Sequence, residues 1–284
     1  MRYAMYPGCL ILQRMQEYEA AAYALLGALE IPVVTLTEWV CCGGPIVESF
    51  REDWFVLSAY NLALAARQNA NLLTLCGSCT ASLRRTRRLL ETDAQARALA
   101  EKRLARVGLS LESLPEAHHL LQVLDANYDL AKSHIRRKLT ARAAVTYPCQ
   151  VFRPVEPDAF DDSMRPQVMR RLVELTGAEV IHYEAEYDCC GSTLLMSDPE
   201  LALAVGRNKL RSAQEADVMV DACGNCHFLL ERHSAAIVKD HHLRKIPLVF
   251  MPQILGLAVG LEPKALGLRE SVAAQLLGKA ASAS

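Results

Sequence analysis

The chain carries one pattern of five cysteines twice, and the two copies include every cysteine of its 284 residues. In motif form the first copy is C-x31-CCG-x32-C-x2-C and the second is C-x39-CCG-x31-C-x2-C. The cysteines are Cys9, Cys41, Cys42, Cys76 and Cys79 in the first set, and Cys149, Cys189, Cys190, Cys223 and Cys226 in the second. Equivalent positions lie 140 to 148 residues apart, which predicts two domains of ordinary size, 1–140 and 141–284.

The charge and hydropathy of the sequence limit the functions that ten cysteines can have. The formal net charge is -1, so no basic excess predicts binding to nucleic acid. No apolar run is long enough to predict a transmembrane segment, and the N-terminus lacks the pattern of a secretory signal, so we expect a cytoplasmic protein. In a reducing compartment, ten cysteines are more typical of metal ligands or redox groups than of structural disulfides.

Short apolar strands alternate with amphipathic helices in both copies. In the first copy we expect strands at 1–8, 32–36 and 72–75, and helices at 15–29, at 53–70 and from Cys79. In the second copy we expect strands at 143–147, 179–183, 218–221 and 247–251, and helices at 165–176, 199–215, from Asn225 and from Pro252. Asp53 and Asp198 are the expected N-caps of two of these helices, and Gly177 is the expected stop of a third.

This alternation predicts an α/β fold of two tandem Rossmann-like domains with parallel sheets, related by a pseudo-twofold repeat. Between the copies, residues 84–142 read as a basic, helical linker, with a second helical stretch at 118–139. Every cysteine group follows a predicted strand, and the carboxyl ends of parallel strands meet at one edge of a sheet. We therefore expect the five thiols of each copy to converge.

The number of thiols bears on what each set binds. A structural zinc ion takes four ligands, and adjacent cysteines such as Cys41 and Cys42 rarely converge on one small ion. An ordinary [4Fe–4S] cubane also takes four cysteines, whereas an extended multi-iron cluster has room for a fifth. Zinc, a vicinal disulfide, thioredoxin-like CxxC chemistry and buried cysteines without function remain as alternatives. The C-x-x-C-H string at Cys223 is not read as a haem site, because Thr80 follows the same motif in the first copy.

Four glycines and one histidine lie next to these cysteines. Gly43, Gly77, Gly191 and Gly224 would let the backbone turn and bring amides close to a cluster. His227 follows a cysteine directly and is the candidate proton donor to a departing thiolate, although a histidine that simply begins a helix fits equally well.

The duplicated pattern resembles the CCG-domain proteins, above all the B subunit of heterodisulfide reductase. The resemblance covers nearly the whole chain, and its specific segments are 6–9, 61–65, 73–79, 223–227 and 253–261. It implies a non-cubane [4Fe–4S] cluster on each cysteine set, hence two clusters that lie near each other where the domains meet. It also implies that the two clusters split a substrate disulfide between them.

The same resemblance implies partners. Electrons would arrive from a ferredoxin-like C subunit, which would receive them from a flavin-containing A subunit. The chain has no C-x2-C-x2-C-x3-C-P run, the motif of cubane-type clusters, and therefore has no electron-entry path of its own. A longer spacing in the second copy reflects an insertion around 153–162, which we expect to reshape the substrate mouth. The family includes homologues in bacterial sulfur-oxidation complexes, a branch that the Ala- and Arg-rich composition favours.

We therefore expect an oxidoreductase acting on sulfur, the catalytic subunit of a heterodisulfide reductase-like complex, whose substrate is a disulfide or carrier-bound sulfur. The alternative is a CCG-domain electron-relay or assembly subunit of a lactate-, glycolate- or succinate-oxidising complex. A zinc-stabilised scaffold is a third hypothesis, which the ligand count disfavours.

Overall fold

Two four-stranded, all-parallel sheets organise the protein. The computed structural model describes residues 1–44, 51–153, 160–239 and 242–278. The strand order is β2-β1-β3-β4 in the first sheet and β6-β5-β7-β8 in the second, so the two sheets share one topology. This confirms the predicted parallel α/β fold. The exact division at 140/141 remains a prediction.

The first half builds its sheet from residues 3–119. Its strands are β1 (Tyr3–Tyr6), β2 (Val33–Thr35), β3 (Asn71–Thr74) and β4 (Ala117–His119). Its helices are α1 (Cys9–Arg14), α2 (Gln16–Ala28), α3 (Phe55–Arg67), α4 (Gly77–Thr92), α5 (Ala94–Leu104), α6 (Leu120–Ala126) and α7 (Tyr128–Ser133), with a 3-10 turn at Ala105–Val107.

The second half repeats this arrangement. Its strands are β5 (Arg142–Val145), β6 (Glu179–Val180), β7 (Val218–Asp221) and β8 (Leu248–Phe250). Its helices are α8 (Cys149–Phe152), α9 (Val168–Glu174), α10 (Pro199–Ser212), α11 (Gly224–His227), α12 (Ser234–Val238), α13 (Met251–Val259) and α14 (Glu270–Leu276). Two 3-10 turns, at Ser192–Leu194 and Pro263–Leu266, and a π-helical turn at Phe228–Arg232 complete it.

The central strands are buried because helices cover both faces of each sheet. All four residues of β1 and of β7 are buried, as expected for parallel strands without a solvent face. The register is equivalent in the two halves: Thr74 pairs with His119, and Asp221 pairs with Phe250. Equivalent strand ends therefore present equivalent positions to the same edge of each sheet.

Two local predictions were wrong and two were confirmed. The linker is not purely helical, because β4 returns to the first sheet. Asp53 does not cap α3; its carboxylate instead pairs with the Arg51 guanidinium at 2.8 Å. Asp198 does cap α10, accepting a hydrogen bond from the Leu201 N–H at 3.0 Å. Gly177 follows α9 with a φ of 92°, a conformation that favours glycine at a helix end.

The two halves pack directly on each other. Helix α13 of the second half packs along α2 of the first, where the rings of Tyr18 and Phe250 stack with centroids 4.1 Å apart. The start of α4 packs against α8 in the same way. Most of the insertion expected to reshape the substrate mouth, 154–159, lies outside the described residues. No helix among the described residues is long and apolar enough to cross a membrane.

Candidate metal centres

The structure places the cysteines at the carboxyl edges of the two sheets. Cys9 begins α1 directly after β1, and Cys149 begins α8 after β5. Cys76 and Cys223 lie at the N-caps of α4 and α11, in extended backbone that leads out of β3 and β7. None of the ten cysteines forms a disulfide bond. Each set is therefore brought together by three chain segments that the sheet aligns.

Within the first set the thiols approach each other in pairs. The Sγ atoms of Cys9 and Cys41 lie 3.5 Å apart, and those of Cys42 and Cys79 lie 3.6 Å apart. All five cysteines of this set line one cavity of about 310 Å³. Cys9 and Cys41 are exposed, whereas the other three are buried.

The second set repeats this pairing. Cys149 is hydrogen-bonded to Cys189, and Cys190 to Cys226, at positions equivalent to the two pairs of the first set. Cys189 is exposed, and its sulfur accepts a hydrogen bond from the Gly191 N–H at 3.4 Å. The duplicated sequence therefore produces a duplicated arrangement of thiols.

Lowered thiol pKa values occur in both sets, at Cys41 and Cys76 in the first and at Cys189 in the second. The pKa of Cys41 is lowered to about 2, first by a hydrogen bond from Cys42, then by one from Cys9, with a contribution from the Gly43 N–H. The pKa of Cys189 is lowered to about 2 by Cys149, Cys190 and the Gly191 N–H. The thiolate is the form of cysteine that binds metals, so the lowered pKa of the first cysteine in each CC pair favours metal binding.

The glycines adjacent to the cysteines have two different roles. Gly43 and Gly191 have φ values of 82° and 90°, and both N–H groups point to the sulfur of the first cysteine in the CC pair. Gly77 and Gly224 instead start helices that face the other half of the protein. A Cβ at Gly77 would lie 3.5 Å from the Pro148 Cβ.

The two sets of thiols touch at the boundary between the halves. Cys223 donates a hydrogen bond to Cys76, and this contact is the largest cause of the lowered pKa of Cys76. Beside it, the Asn225 Nδ2 donates to the Ser78 Oγ at 2.8 Å, and the Ser78 hydroxyl donates to the Gln150 side-chain oxygen. Residues inside both CxxC motifs and next to Cys149 are thus joined in one short chain of hydrogen bonds.

Two buried polar residues that sequence reasoning missed hold the segments before each CC pair. The Asn61 side chain accepts from the Val40 N–H at 3.0 Å and donates to the Val40 carbonyl at 2.9 Å. The Lys209 Nζ donates to the carbonyls of Ala185 at 2.6 Å and Asp188 at 2.9 Å. The two residues are 148 positions apart, the same offset as the CC pairs, so this offset would have identified them.

His227 does not lie in the cavity of the first set. Its Nδ1 is 2.9 Å from the Asp221 Oδ2, its ring stacks on Phe250 with centroids 3.9 Å apart, and it lines a separate cavity of about 220 Å³. Burial raises the pKa of Asp221 to about 6, against the opposing effect of His227. The first half has a hydroxyl pair at the equivalent place, Thr74 and Thr80, with oxygens 2.6 Å apart.

His119 occupies the place that Phe250 has in the second half. It caps α6, because its Nδ1 accepts from the Leu121 N–H at 3.2 Å. Burial lowers its pKa to about 4, so the ring is neutral near pH 7. No sequence pattern pointed to this residue.

The donor set fits an iron–sulfur group better than a single ion. Among the described residues, no three His, Cys, Asp or Glu side chains are arranged to hold one metal ion, so the close thiol pairs do not converge on a point. Soft thiolates select iron–sulfur clusters, zinc or Cu(I) over hard cations. Two close pairs and a fifth thiol suit a cluster of several irons, in which the thiols can reach different metal atoms.

Comparison with known proteins agrees with this donor chemistry. A model of the CCG family, described as a cysteine-rich domain, matches residues 3–84 and 143–231. The chain is 29% identical over 275 residues to the 8-methylmenaquinol:fumarate reductase membrane anchor subunit of Wolinella succinogenes, covering 95% of this chain and 96% of that one. It is 28% identical to the B subunit of the ferredoxin/F(420)H(2)-dependent CoB-CoM heterodisulfide reductase of Methanosarcina acetivorans, covering 94% and 92% of the two chains.

Two further proteins are similar over most of the chain. A protein of Archaeoglobus profundus, named for its likeness to the B subunit of heterodisulfide reductase, is 28% identical over 93% of this chain and 92% of that one. The crystal structure of a hypothetical protein from Helicobacter pylori superposes with a TM-score of 0.72 at 16% identity. That superposition covers 94% of this chain but half of the other, and it supports the fold alone.

Proposed function

Because this chain belongs to the family of CCG cysteine-rich domain proteins, we propose that it is an iron–sulfur oxidoreductase subunit that reduces or forms disulfide or persulfide bonds. The observation that carries the proposal is the presence of two complete five-thiol sets that meet at Cys76 and Cys223. Two similar proteins are named as the B subunit of heterodisulfide reductases, and a third is named for its likeness to that subunit.

We propose that each set holds one non-cubane [4Fe–4S] cluster. The ligands would be Cys9, Cys41, Cys42, Cys76 and Cys79 for the first cluster and Cys149, Cys189, Cys190, Cys223 and Cys226 for the second. Such clusters, when bound, supply one-electron steps and iron atoms with an affinity for sulfur. The chain's own contribution is positional: Asn61 and Lys209 fix the segments that lead into the CC pairs, and amide N–H groups point at the ligand sulfurs.

The reaction requires two electrons and two protons for each disulfide: R–S–S–R′ accepts both to give R–SH and R′–SH. The electrons would come from a ferredoxin-like C subunit, supplied in turn by a flavin-containing A subunit. His227 remains the candidate proton donor. Its contact with Asp221, next to the second CxxC motif, supports a second role, which is to hold that loop in place.

The electron-relay alternative has less support than disulfide chemistry. Only one of the similar proteins described above is named for a different reaction, fumarate reduction. A role in bacterial sulfur oxidation and a location in the cytoplasm remain predictions from the sequence.

Metal content after anaerobic purification tests the proposal. We expect about eight irons and eight acid-labile sulfides per chain if both sets hold a [4Fe–4S] cluster. The variants Cys42→Ala and Cys190→Ala should each lose about half of the iron, because each removes a ligand from one set only. Zinc without acid-labile sulfide would contradict the proposal.

A further inference from the structure

The phenol of Tyr18 is a buried polar group at the boundary between the halves. The side chain belongs to α2 and is fully buried. Its ring stacks on Phe250 with centroids 4.1 Å apart and planes 12° apart, and the His227 ring stacks on Phe250 with centroids 3.9 Å apart. Because two rings cannot share one face at such distances, they lie on opposite faces of Phe250. The position of Tyr18 is therefore fixed by an aromatic stack that crosses the boundary.

The Tyr18 hydroxyl has no hydrogen-bond partner within the part of the chain that the structure describes. Two other buried tyrosines do have one: the Tyr6 hydroxyl donates to the Val40 carbonyl at 3.0 Å, and the Tyr183 hydroxyl donates to the Val145 carbonyl at 2.7 Å. A buried donor without a partner is costly, and a phenylalanine would fill the same space without that cost. The hydroxyl of Tyr18 is thus a feature that packing alone does not explain.

Negative groups surround this hydroxyl. The pKa of Tyr18 is raised well above its usual value, first by burial and then by the charges of Asp221, Cys223, Cys76 and Cys226. Three of these four groups are thiols, and they come from both cysteine sets. The phenol therefore stays protonated, and it presents an O–H donor near the place where Cys223 meets Cys76.

Asp221 is the competing acceptor, because its Oδ1 is also buried and has no partner among the described residues. The carboxylate is fixed by its place in β7 and by the contact of its other oxygen with the His227 Nδ1 at 2.9 Å. Tyr18 is fixed by the aromatic stack, and the two groups form no direct hydrogen bond. An iron–sulfur cluster, in contrast, carries sulfides of its own, so its acceptor atoms extend beyond the sulfurs of the ligand cysteines.

We propose that Tyr18 donates a hydrogen bond to sulfur of the cluster at the second cysteine set and thereby sets the reduction potential of that cluster. The inference rests on the clusters proposed above and adds a residue that tunes one of them. The second set is chosen because Cys223 acts on Tyr18 more strongly than Cys76 does, and Cys226 belongs to the same set. A hydrogen bond to sulfur stabilises the reduced, more negative state and so raises the potential. The first half thus supplies a donor to the cluster of the second half.

Redox titration of anaerobically purified, cluster-containing protein tests this inference. Tyr18→Phe keeps the ring and loses the hydroxyl, so the ratio of reduced to oxidised cluster at a fixed potential should fall about tenfold, which is about 59 mV for a one-electron couple. Tyr183→Phe is the matched control, because Tyr183 is also buried near Cys226 but its hydroxyl already donates to the Val145 carbonyl. It should leave that ratio within about twofold of the unchanged chain.

Two variants that each retain one cluster assign the hydrogen bond to the second set. Cys42→Ala should keep the second cluster, and Cys190→Ala should keep the first. Adding Tyr18→Phe should lower the potential in the Cys42→Ala background and leave it unchanged in the Cys190→Ala background. The same addition should lower Tm by about 2 to 6 °C in the first background only, because in the second the hydroxyl has no cluster sulfur to lose.

The outcomes separate this inference from the proposed function. An unchanged potential in Tyr18→Phe, or an equal fall of Tm in both backgrounds, would overturn the role of Tyr18 in a protein that still contains iron and sulfide. The equal fall would assign the hydroxyl to an acceptor that needs no cluster, such as a buried water shared with Asp221. A potential shift confined to the Cys190→Ala background would overturn the assignment to the second set. The expected shift in a protein that reduces no disulfide would support the role of Tyr18 and refute the proposed reaction.

Discussion

Replacement of two equivalent glycines by alanine tests how the halves fit together. Gly77 and Gly224 are each the first residue of a helix that follows the first cysteine of a CxxC motif, and each faces the other half. An added Cβ at Gly77 would meet its neighbours at 3.5 to 3.6 Å, which is ordinary contact. The same atom at Gly224 would lie 3.0 Å from the Ile11 Cγ1 and 3.4 Å from its Cδ1, and Ile11 is fully buried.

The magnitudes follow from these distances. Alanine in place of glycine favours a helix by about 0.5 to 1 kcal/mol, and this gain applies at both positions. Overpacking of a buried site costs about 1 to 3 kcal/mol, and this cost applies at Gly224 alone. Gly77→Ala should therefore be neutral or slightly stabilising, whereas Gly224→Ala should be less stable than Gly77→Ala by about 1 to 3 kcal/mol.

Thermal unfolding of the cluster-containing protein under anaerobic conditions measures the difference. For a chain of this size, 1 kcal/mol corresponds to about 2 to 4 °C in Tm, so Gly224→Ala should melt several degrees below Gly77→Ala. Ile11→Ala removes the opposing Cγ1, so adding Gly224→Ala to that background should cost little further stability. Equal Tm values for the two glycine variants, or additive losses in the double variant, would refute this account of the interface.

Two further predictions concern buried polar residues. His119 is buried as the neutral imidazole with its pKa lowered to about 4, so protonation favours the unfolded chain as the pH falls below 6.5. The protein should lose about 2 kcal/mol between pH 7 and pH 5 through this group, and His119→Asn, which retains a good N-cap, should lack that part of the fall in Tm. Lys209→Met should leave three carbonyls without their donor, lower stability by about 1 to 3 kcal/mol and deplete the iron of the second set. The control Lys102→Met, at an exposed position, should change neither Tm nor iron content; equal iron loss in both variants would contradict the assigned role of Lys209.

The periodicity of apolar residues predicted the strands and helices of the two sheets, because secondary structure follows local sequence patterns. The cysteine groups follow those strands in both copies, and this predicted that the thiols of each set come together. The strand at 218–221 was predicted with its observed bounds, and six of the other seven strands and most of the helices were located to within a few residues. Strand β4 was missed because Ala117–His119 is three residues long and has no β-branched side chain. Its place in the sheet is set by pairing with β3, which is too distant in the sequence for a local pattern to reveal the contact.

The roles of several residues near the cysteines were harder to predict because they depend on contacts between segments that are distant in the sequence. Asn61 and Lys209 bond the backbone at equivalent places, and the repeat offset relates their positions, but the amide and the ammonium group are different residue types that do not by themselves indicate this role. That Gly77 and Gly224 bring amides to a cluster remains a prediction, and the structure adds that both pack across the boundary between the halves. The proton-donor role expected of His227 remains a prediction, and its contacts with Asp221 and Phe250 depend on strand register, which the sequence does not show.

The reciprocal contacts between the halves suggest how the protein arose. The start of α4 meets residues 148–151, and the start of α11 meets residues 10–11, so each half offers the same surface to the other. A symmetric dimer joins its subunits in this self-complementary manner. We infer that a one-domain ancestor with five cysteines dimerised through this surface; a present-day one-domain homologue that remains monomeric when loaded with iron would contradict that history. Gene duplication and fusion then needed no new interface and allowed each half to diverge. The divergence is visible at one pair of equivalent positions, which holds the hydroxyls of Thr74 and Thr80 in the first half and the ionisable groups of Asp221 and His227 in the second.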